Sequence, residues 1–208
     1  MLRIDPVRKS PQNRPQRLIL YVEGPADRAI LRAWAYRLLP TVSRRLFGES
    51  VILGGRQPAR ALRHFSGVGG AEAGLHGLCI LDRDDGAQPD PPAPSEPGLE
   101  FFTWGRRHIE SYLLVPAAIR RTLRLADDDP RIHRALDEVL PRPADESIYR
   151  EVDAKRLLGP NGALPRALGR SISLPNVARA TRSEELHSDV HRLFDQLRDR
   201  MGVQSFPN

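Results

Sequence analysis

Acidic residues stand directly after two apolar runs of the sequence. Glu23 follows the first run, and Asp27 comes four residues later. Asp82 and Asp84 follow another run further along the chain. Because side chains alternate along an extended chain with a period of two, we expect the carboxylates of Asp82 and Asp84 to lie on one side. Carboxylates grouped in this way are the ligands that a hard divalent cation such as Mg²⁺ prefers.

The elements before these acids alternate between strands and helices. Three short apolar runs rich in strand formers predict strands, and the segments between them show helical spacing or break at Gly and Pro. The predicted strands are Leu18–Val22, Val51–Leu53 and Leu78–Leu81, and the predicted helices are Ala26–Leu39 and the segment near Gln57–Phe65. Such alternation predicts right-handed crossovers and a parallel α/β sheet with helices on its faces.

The second half of the chain is predicted to be mostly helical. Leu99–Thr103 indicates a fourth strand after a Pro-rich loop at 86–98, and Ile109–Val115 begins a helical stretch that Pro116 interrupts. Ser183–Met201 shows the clearest amphipathic pattern and predicts one long helix. We therefore expect a flexible basic arm at 1–16, an α/β domain at 17–115 and a helical C-terminal extension at 116–208.

The position of the acids relative to the sheet decides what they could do. If the first and third strands are neighbours, Glu23, Asp82 and Asp84 converge at the carboxyl edge, where ligands bind in open parallel sheets. Like charges in a cleft raise one another's pKa, and a bound divalent cation removes that repulsion. A purely structural interpretation also fits, in which Asp82–Asp85 forms a turn and Glu23 caps a helix.

The composition of the chain limits the classes of protein to which it could belong. The chain has 208 residues, with 32 Lys+Arg against 26 Asp+Glu and a net charge of +6, which weakly favours nucleic acid as a partner. The single cysteine, Cys79, excludes a disulfide framework and a Cys-rich zinc module. No apolar stretch is long enough for a membrane span, and residues 1–17 lack an apolar signal core. We therefore expect a cytoplasmic protein without a membrane partner.

Three motifs carry a resemblance to the Toprim domain shared by topoisomerases, primases and overcoming-lysogenization-defect (OLD) nucleases. They are Glu23-Gly24-Pro25-Ala26-Asp27 at a strand–helix turn, Asp82-Arg83-Asp84 after a strand, and Ile109-Glu110-Ser111-Tyr112-Leu113-Leu114. The sequence most resembles the nuclease branch, over about residues 18–115. Lys155 resembles a lysine that follows the domain in these nucleases, although it could also be a surface lysine that starts a helix.

The resemblance implies a Rossmann-like Toprim fold and metal-assisted phosphodiester hydrolysis. One Mg²⁺, or Mn²⁺, would be held by Glu23, Asp82 and Asp84, and a second by Asp84 with Asp27 or Glu110. Lys155, or one of the arginines, would offset charge on the phosphoryl oxygens. The arginines expected to contact the nucleic-acid backbone are Arg83, Arg106 and Arg107.

The sequence also departs from the family. It contains no phosphate-binding loop of an ATPase, so the resemblance implies a separate ATPase subunit, as in a bacterial antiviral defence system. The acid expected shortly after the Asp-x-Asp pair is absent, which leaves Asp85 or Glu110 to complete a second metal site. DNA is favoured over RNA as the substrate, and a homo-oligomer is left open.

Two other function classes stay open at this point. A non-catalytic Toprim-like subunit would bind nucleic acid or a protein without cutting it, and an incomplete second metal site would favour that class. A receiver-like domain that accepts a phosphoryl group also gathers acids at the ends of its first and third strands. That class expects a single acceptor aspartate and a lysine after a fifth strand.

Overall fold

A computed structural model of the protein describes residues 17–83, 96–126, 129–137 and 145–202. Within these ranges the chain forms a four-stranded parallel sheet in the order β2-β1-β3-β4. The strands are β1 (Arg17–Val22), β2 (Val51–Ile52), β3 (Leu75–Leu81) and β4 (Leu99–Thr103). The predicted parallel α/β sheet is thus confirmed, and so is the adjacency of the first and third strands.

Helices connect the strands and make up the C-terminal part. Those before β3 are α1 (Pro25–Leu38), α2 (Ser43–Gly48), α3 (Pro58–Gly67) and a 3₁₀ helix (Gly70–Ala73). Those after β4 are a 3₁₀ helix (Ile109–Leu113), α4 (Pro116–Leu123), α5 (Pro130–Asp137), α6 (Glu146–Glu151), α7 (Ala154–Leu158), α8 (Ala163–Leu168), α9 (Leu174–Ala180), a 3₁₀ helix (Ser183–Glu185) and α10 (Ser188–Arg200). Within the described residues no helix is both long and apolar enough to cross a lipid bilayer.

The central strands are buried on both faces. In β1, Leu20 and Val22 face a core that α1 and the C-terminal helices complete. Ile19 and Tyr21 point the other way, into a smaller core that includes Phe65 of α3. This two-sided burial explains why β1 and β3 are almost continuously apolar, as central strands of parallel sheets usually are.

The C-terminal helices pack onto the sheet. Val177 of α9 and Leu193 of α10 are buried in the same apolar core as Leu20 of β1 and Trp34 of α1. The predicted helical C-terminal part is therefore present, and it shares one core with the α/β part. The predicted boundary at residue 116 coincides with the start of α4, while the division into separate domains stays a prediction.

The prediction of one helix over Ser183–Met201 was wrong. The chain forms a 3₁₀ helix at Ser183–Glu185, becomes extended at Leu186, and begins α10 at Ser188. His187 caps α10, since its Nδ1 accepts a hydrogen bond from the backbone N–H of Asp189 at 3.1 Å. The apolar spacing continues across this break, so the spacing alone could not predict the break. The predicted arm at 1–16 and residues 86–95 of the predicted loop lie outside the described residues.

Candidate active site

Two predicted acids meet at the carboxyl edge of the sheet. Val22 is paired with Ile80 in the parallel register of β1 and β3, which brings the residues after each strand together. Glu23 is 8% exposed and Asp82 is 1% exposed. Glu23 Oε1 accepts a hydrogen bond from the backbone N–H of Asp82 at 2.7 Å. The predicted convergence of these two residues is therefore observed.

The Asp82 carboxylate is held on both of its oxygens. Its Oδ1 accepts a hydrogen bond from the backbone N–H of Ile109 at 2.9 Å. Its Oδ2 accepts one from Lys155 Nζ at 2.6 Å. Because a buried carboxylate is costly without a compensating charge, the ammonium of Lys155 is the group that makes this burial tolerable. Lys155 lies on α7, far along the chain from β3.

Lys155 stays protonated in this setting. Burial alone lowers the pKa of Lys155, but the hydrogen bond to Asp82 and the negative charges of Asp82, Glu110 and Asp27 outweigh it. The net effect is a raised pKa for Lys155. Lys155 is therefore a charged member of the acidic cluster, and it also lies partly exposed at the start of α7.

Asp27 and Glu110 complete the acidic cluster. Desolvation by burial, with a further contribution from the charge of Asp82, raises the pKa of Asp27 to about 6. Desolvation likewise raises the pKa of Glu110 to about 7, although Lys155 lowers it in part. Glu110 Oε2 is buried and has no hydrogen-bond partner among the described residues. Burial penalises the charged form of both acids, so their ionisation lowers the stability of the folded protein.

The chemistry of these donors fits a hard divalent cation. All of them are carboxylates, and the buried oxygen of Glu110 lacks a partner. Within the described residues, however, no three His, Cys, Asp or Glu side chains are grouped closely enough to hold a metal ion. Asp84 and Asp85 lie outside those residues, so the predicted share of Asp84 in either metal site is not observed.

Arg56 is a site residue that sequence reasoning missed. Its Nη1 donates a hydrogen bond to the backbone carbonyl of Asp82. The preceding Gly54 and Gly55 donate their N–H groups to the carbonyl of Glu23, at 2.9 and 3.0 Å. Their φ values of +79° and +115° favour glycine, so this turn delivers Arg56 to the carboxyl edge. The available signal was an arginine directly after the two glycines that end the second predicted strand.

The three arginines predicted to contact nucleic acid differ in their surroundings. Arg83 is partly exposed, and its Nη2 donates to Glu151 Oε1 at 2.6 Å and to the carbonyl of Arg150 at 2.8 Å. Arg107 is partly buried, and its backbone N–H also donates to the carbonyl of Arg150. Both lie in segments that adjoin the acidic cluster.

Arg106 has a different environment from the one predicted. It is 9% exposed and forms a two-pronged ion pair with Glu146, with N–O distances of 3.0 and 2.7 Å. Its guanidinium carbon lies 4.8 Å from the ring centre of Tyr112 and 4.6 Å from that of Tyr149. Its Nη1 also donates to the carbonyl of Ser111 at 2.8 Å, so the described contacts of Arg106 support a structural role for its guanidinium.

The geometry also bears on the receiver-like alternative. That class expects the lysine after a fifth strand, whereas the described part of the chain has four strands and Lys155 lies on α7. An aspartate–lysine pair is present, but its lysine lies on a helix and does not follow a strand. The arrangement therefore does not favour a receiver-like domain.

Comparisons with known proteins give one group of neighbours. The sequence matches no protein-family model and no curated protein. The chain is similar to the C-terminal regions of OLD proteins. The region from Burkholderia pseudomallei shares 18% identity at a TM-score of 0.49, with 89% of this chain and 98% of that region covered. The region from Xanthomonas campestris pv. campestris shares 15% identity at a TM-score of 0.48, with 90% and 95% covered.

At such identities the likeness to the OLD regions concerns the course of the chain and gives no role to any residue. The roles discussed below depend on the contacts and charges of this chain alone.

Proposed function

We propose that the protein is a Mg²⁺-dependent nuclease that hydrolyses phosphodiester bonds of nucleic acid. The observation that carries the proposal is the buried Asp82 carboxylate at the end of β3, held by Lys155 Nζ and adjacent to Glu23 at the end of β1. Burying several acids at one sheet edge costs stability, and such clusters are found where function requires them.

The acids have distinct proposed roles. Glu23 and Asp82, together with Asp84, would hold one Mg²⁺ or Mn²⁺, and Asp27 or Glu110 would contribute to a second. A bound divalent cation supplies a Lewis acid and lowers the pKa of a coordinated water. The backbone N–H of Ile109 fixes the orientation of the Asp82 carboxylate, because it donates to Oδ1. The N–H of Asp82 fixes Glu23 in the same way.

The nearby cations would bind the phosphodiester group. The Lys155 side chain is 44% exposed, so its ammonium can reach a phosphoryl oxygen without unfolding of α7. Arg56 donates to the backbone carbonyl of Asp82 and adds a planar guanidinium suited to phosphate. Arg83 and Arg107 are proposed to contact the backbone further from the cleaved bond.

The biological setting is proposed from the motifs. Their resemblance to OLD nucleases supports an effector role in a bacterial defence system, with a separate ATPase as partner. DNA is the favoured substrate over RNA, and the proposed location is the cytoplasm.

Cleavage assays test this function. The full chain is incubated with plasmid DNA, single-stranded DNA or tRNA and with Mg²⁺ or Mn²⁺, with and without any ATPase that is encoded beside it. We expect Asp82→Asn to reduce the cleavage rate by at least about a hundredfold, since it removes a proposed metal ligand. Glu72→Gln, an exposed acid on the 3₁₀ helix Gly70–Ala73, is the matched control and should cleave normally. Absence of cleavage under every condition would contradict the proposal.

A second candidate is a non-catalytic Toprim-like subunit that binds nucleic acid or protein. It is favoured by the lack of a three-ligand metal group among the described residues. In that case the wild type and Asp82→Asn would bind nucleic acid equally well, and neither would cleave it.

A further inference from the structure

A groove lined by arginines runs along the outer face of α1. It is formed by α1, the end of β2 and α9, and its volume is about 540 Å³. The charged residues that line it are Arg28, Arg32 and Arg179, and the aromatic one is Tyr36. No acidic side chain is among these lining residues of the described chain. The groove therefore presents positive charge and one aromatic ring.

The α1 side of the groove is a regular ridge. Arg28, Arg32 and Tyr36 are four residues apart, so they lie on the same face of the helix. With a rise of about 1.5 Å per residue, the ridge is about 12 Å long. Tyr36 is 67% exposed, and it is the most exposed large hydrophobic side chain of the described residues. A ring exposed beside cations is typical of surfaces on which nucleic-acid bases stack.

The charge of the groove is not neutralised by any residue that the structure describes. Arg28 Nη2 donates to the carbonyl of Phe47 at 2.7 Å, which fixes this guanidinium without cancelling its charge. Arg32 and Arg179 are exposed, and their side chains form no ion pair with any residue that the structure describes. Such a concentration of one sign of charge attracts a polyanion.

Two residues of the groove lining are close in the chain or in the sheet to the candidate active site. Pro25, at its lower end, follows Glu23 and Gly24 directly in the chain. Ile52, also in the lining, pairs with Val22 and precedes the turn whose N–H groups bind the carbonyl of Glu23. A strand lying in the groove would therefore enter the site at the carboxyl edge of β1.

We propose that this groove binds a single-stranded segment of nucleic acid, with phosphates on Arg32 and Arg179 and one base stacked on Tyr36. The inference rests on the proposed function, which makes nucleic acid the substrate. A single strand is required because the bases of a duplex are already stacked and cannot lie on Tyr36.

Binding without metal tests the proposal separately from cleavage. Fluorescence anisotropy of labelled single-stranded DNA and RNA is measured with the full chain in EDTA, over a range of salt concentrations. We expect Arg32→Glu/Arg179→Glu to weaken binding by more than about tenfold and to make its salt dependence shallower. Tyr36→Ala should weaken binding by about tenfold, whereas Tyr36→Phe should retain it. Comparison of the DNA and RNA arms identifies the sugar that is preferred.

Arg63→Glu is the matched control. It makes the same type of substitution at one exposed arginine of α3, which packs on the opposite face of the sheet from α1, and it is compared with each groove substitution made singly. Thermal melting shows that each variant is folded. The proposal is overturned if the groove variants bind like the wild type, or if Arg63→Glu weakens binding as much as the single groove substitutions do.

The failures of the two proposals are distinguishable. Groove-dependent binding by a protein that never cleaves would contradict the nuclease function and support the groove. Normal cleavage of single-stranded substrates by the groove variants would contradict the groove and support the nuclease function.

Discussion

Lys155 Nζ lies 2.6 Å from Asp82 Oδ2, although the two residues are 73 positions apart in the chain. The Asp82 side chain is completely buried, and that of Lys155 is partly exposed. The pair joins α7 in the helical C-terminal part to the end of β3. The C-terminal part therefore supplies a charge that the acidic sheet edge requires.

The first prediction concerns this pair. Lys155→Met keeps the length of the side chain but leaves the Asp82 carboxylate buried without its counter-charge. We expect the free energy of unfolding to fall by about 1–2 kcal/mol, less than for a fully buried pair because Lys155 is in contact with solvent. Urea denaturation measures the change. The double variant Asp82→Asn/Lys155→Met should recover part of the loss, and strictly additive losses would show that the pair is not coupled.

The second prediction concerns Glu110. Burial raises the pKa of Glu110 to about 7, so the folded state holds a proton that the unfolded chain has released above its lower pKa. The stability of the metal-free protein should therefore fall as the pH rises through about 7. At about pH 8 we expect Glu110→Gln to be more stable than the wild type by about 1–3 kcal/mol, with the difference shrinking towards about pH 5.

Thermal and urea unfolding in EDTA at both pH values measures this difference. Glu72→Gln provides the comparison, since Glu72 is exposed and its replacement should have the same small effect at both pH values. A pH-independent effect of Glu110→Gln would show that burial does not penalise the Glu110 carboxylate.

The third prediction separates two neighbouring arginines. Arg106→Gln breaks the ion pair with Glu146 and the contacts with two tyrosine rings, so it should lower the free energy of unfolding by about 1–3 kcal/mol and leave nucleic-acid affinity unchanged. Arg107→Gln, in contrast, should weaken binding in proportion to a lost phosphate contact. Denaturation and anisotropy on the same samples compare the two variants. If Arg106→Gln is as stable as the wild type but binds nucleic acid more weakly, Arg106 contacts nucleic acid and the prediction is wrong.

The fourth prediction concerns the turn that carries Arg56. Gly55 has a φ of +115°, and no atom lies within 4 Å of a Cβ added there, so any cost of Gly55→Ala comes from the backbone. We expect a loss of about 1–2 kcal/mol and a slower cleavage reaction, because the turn positions Arg56. Gly48→Ala also meets no atom within 4 Å and lies in α2, so it should be neutral or slightly stabilising. Equal effects of the two substitutions would contradict this view.

Local patterns were sufficient for most of the fold. The four strands and their parallel arrangement could be predicted because apolar runs of β-branched and aromatic residues alternate with helical spacing. The break before α10, which the apolar spacing did not predict, shows the limit of such patterns. Leu186 continues the apolar spacing although its backbone is extended, and the His187 cap that begins α10 depends on local hydrogen bonds.

By itself the sequence determined the α/β class and the position of Glu23 and Asp82 at the ends of strands. Lys155 became a candidate site residue only through the resemblance to a known family. Tertiary structure alone decided that Lys155 reaches Asp82, that Arg56 joins the site, and that Arg106 lies against two tyrosine rings. The reason is physical. Burial and charge pairing are properties of segments far apart in the chain, and they exist only once packing has brought those segments together.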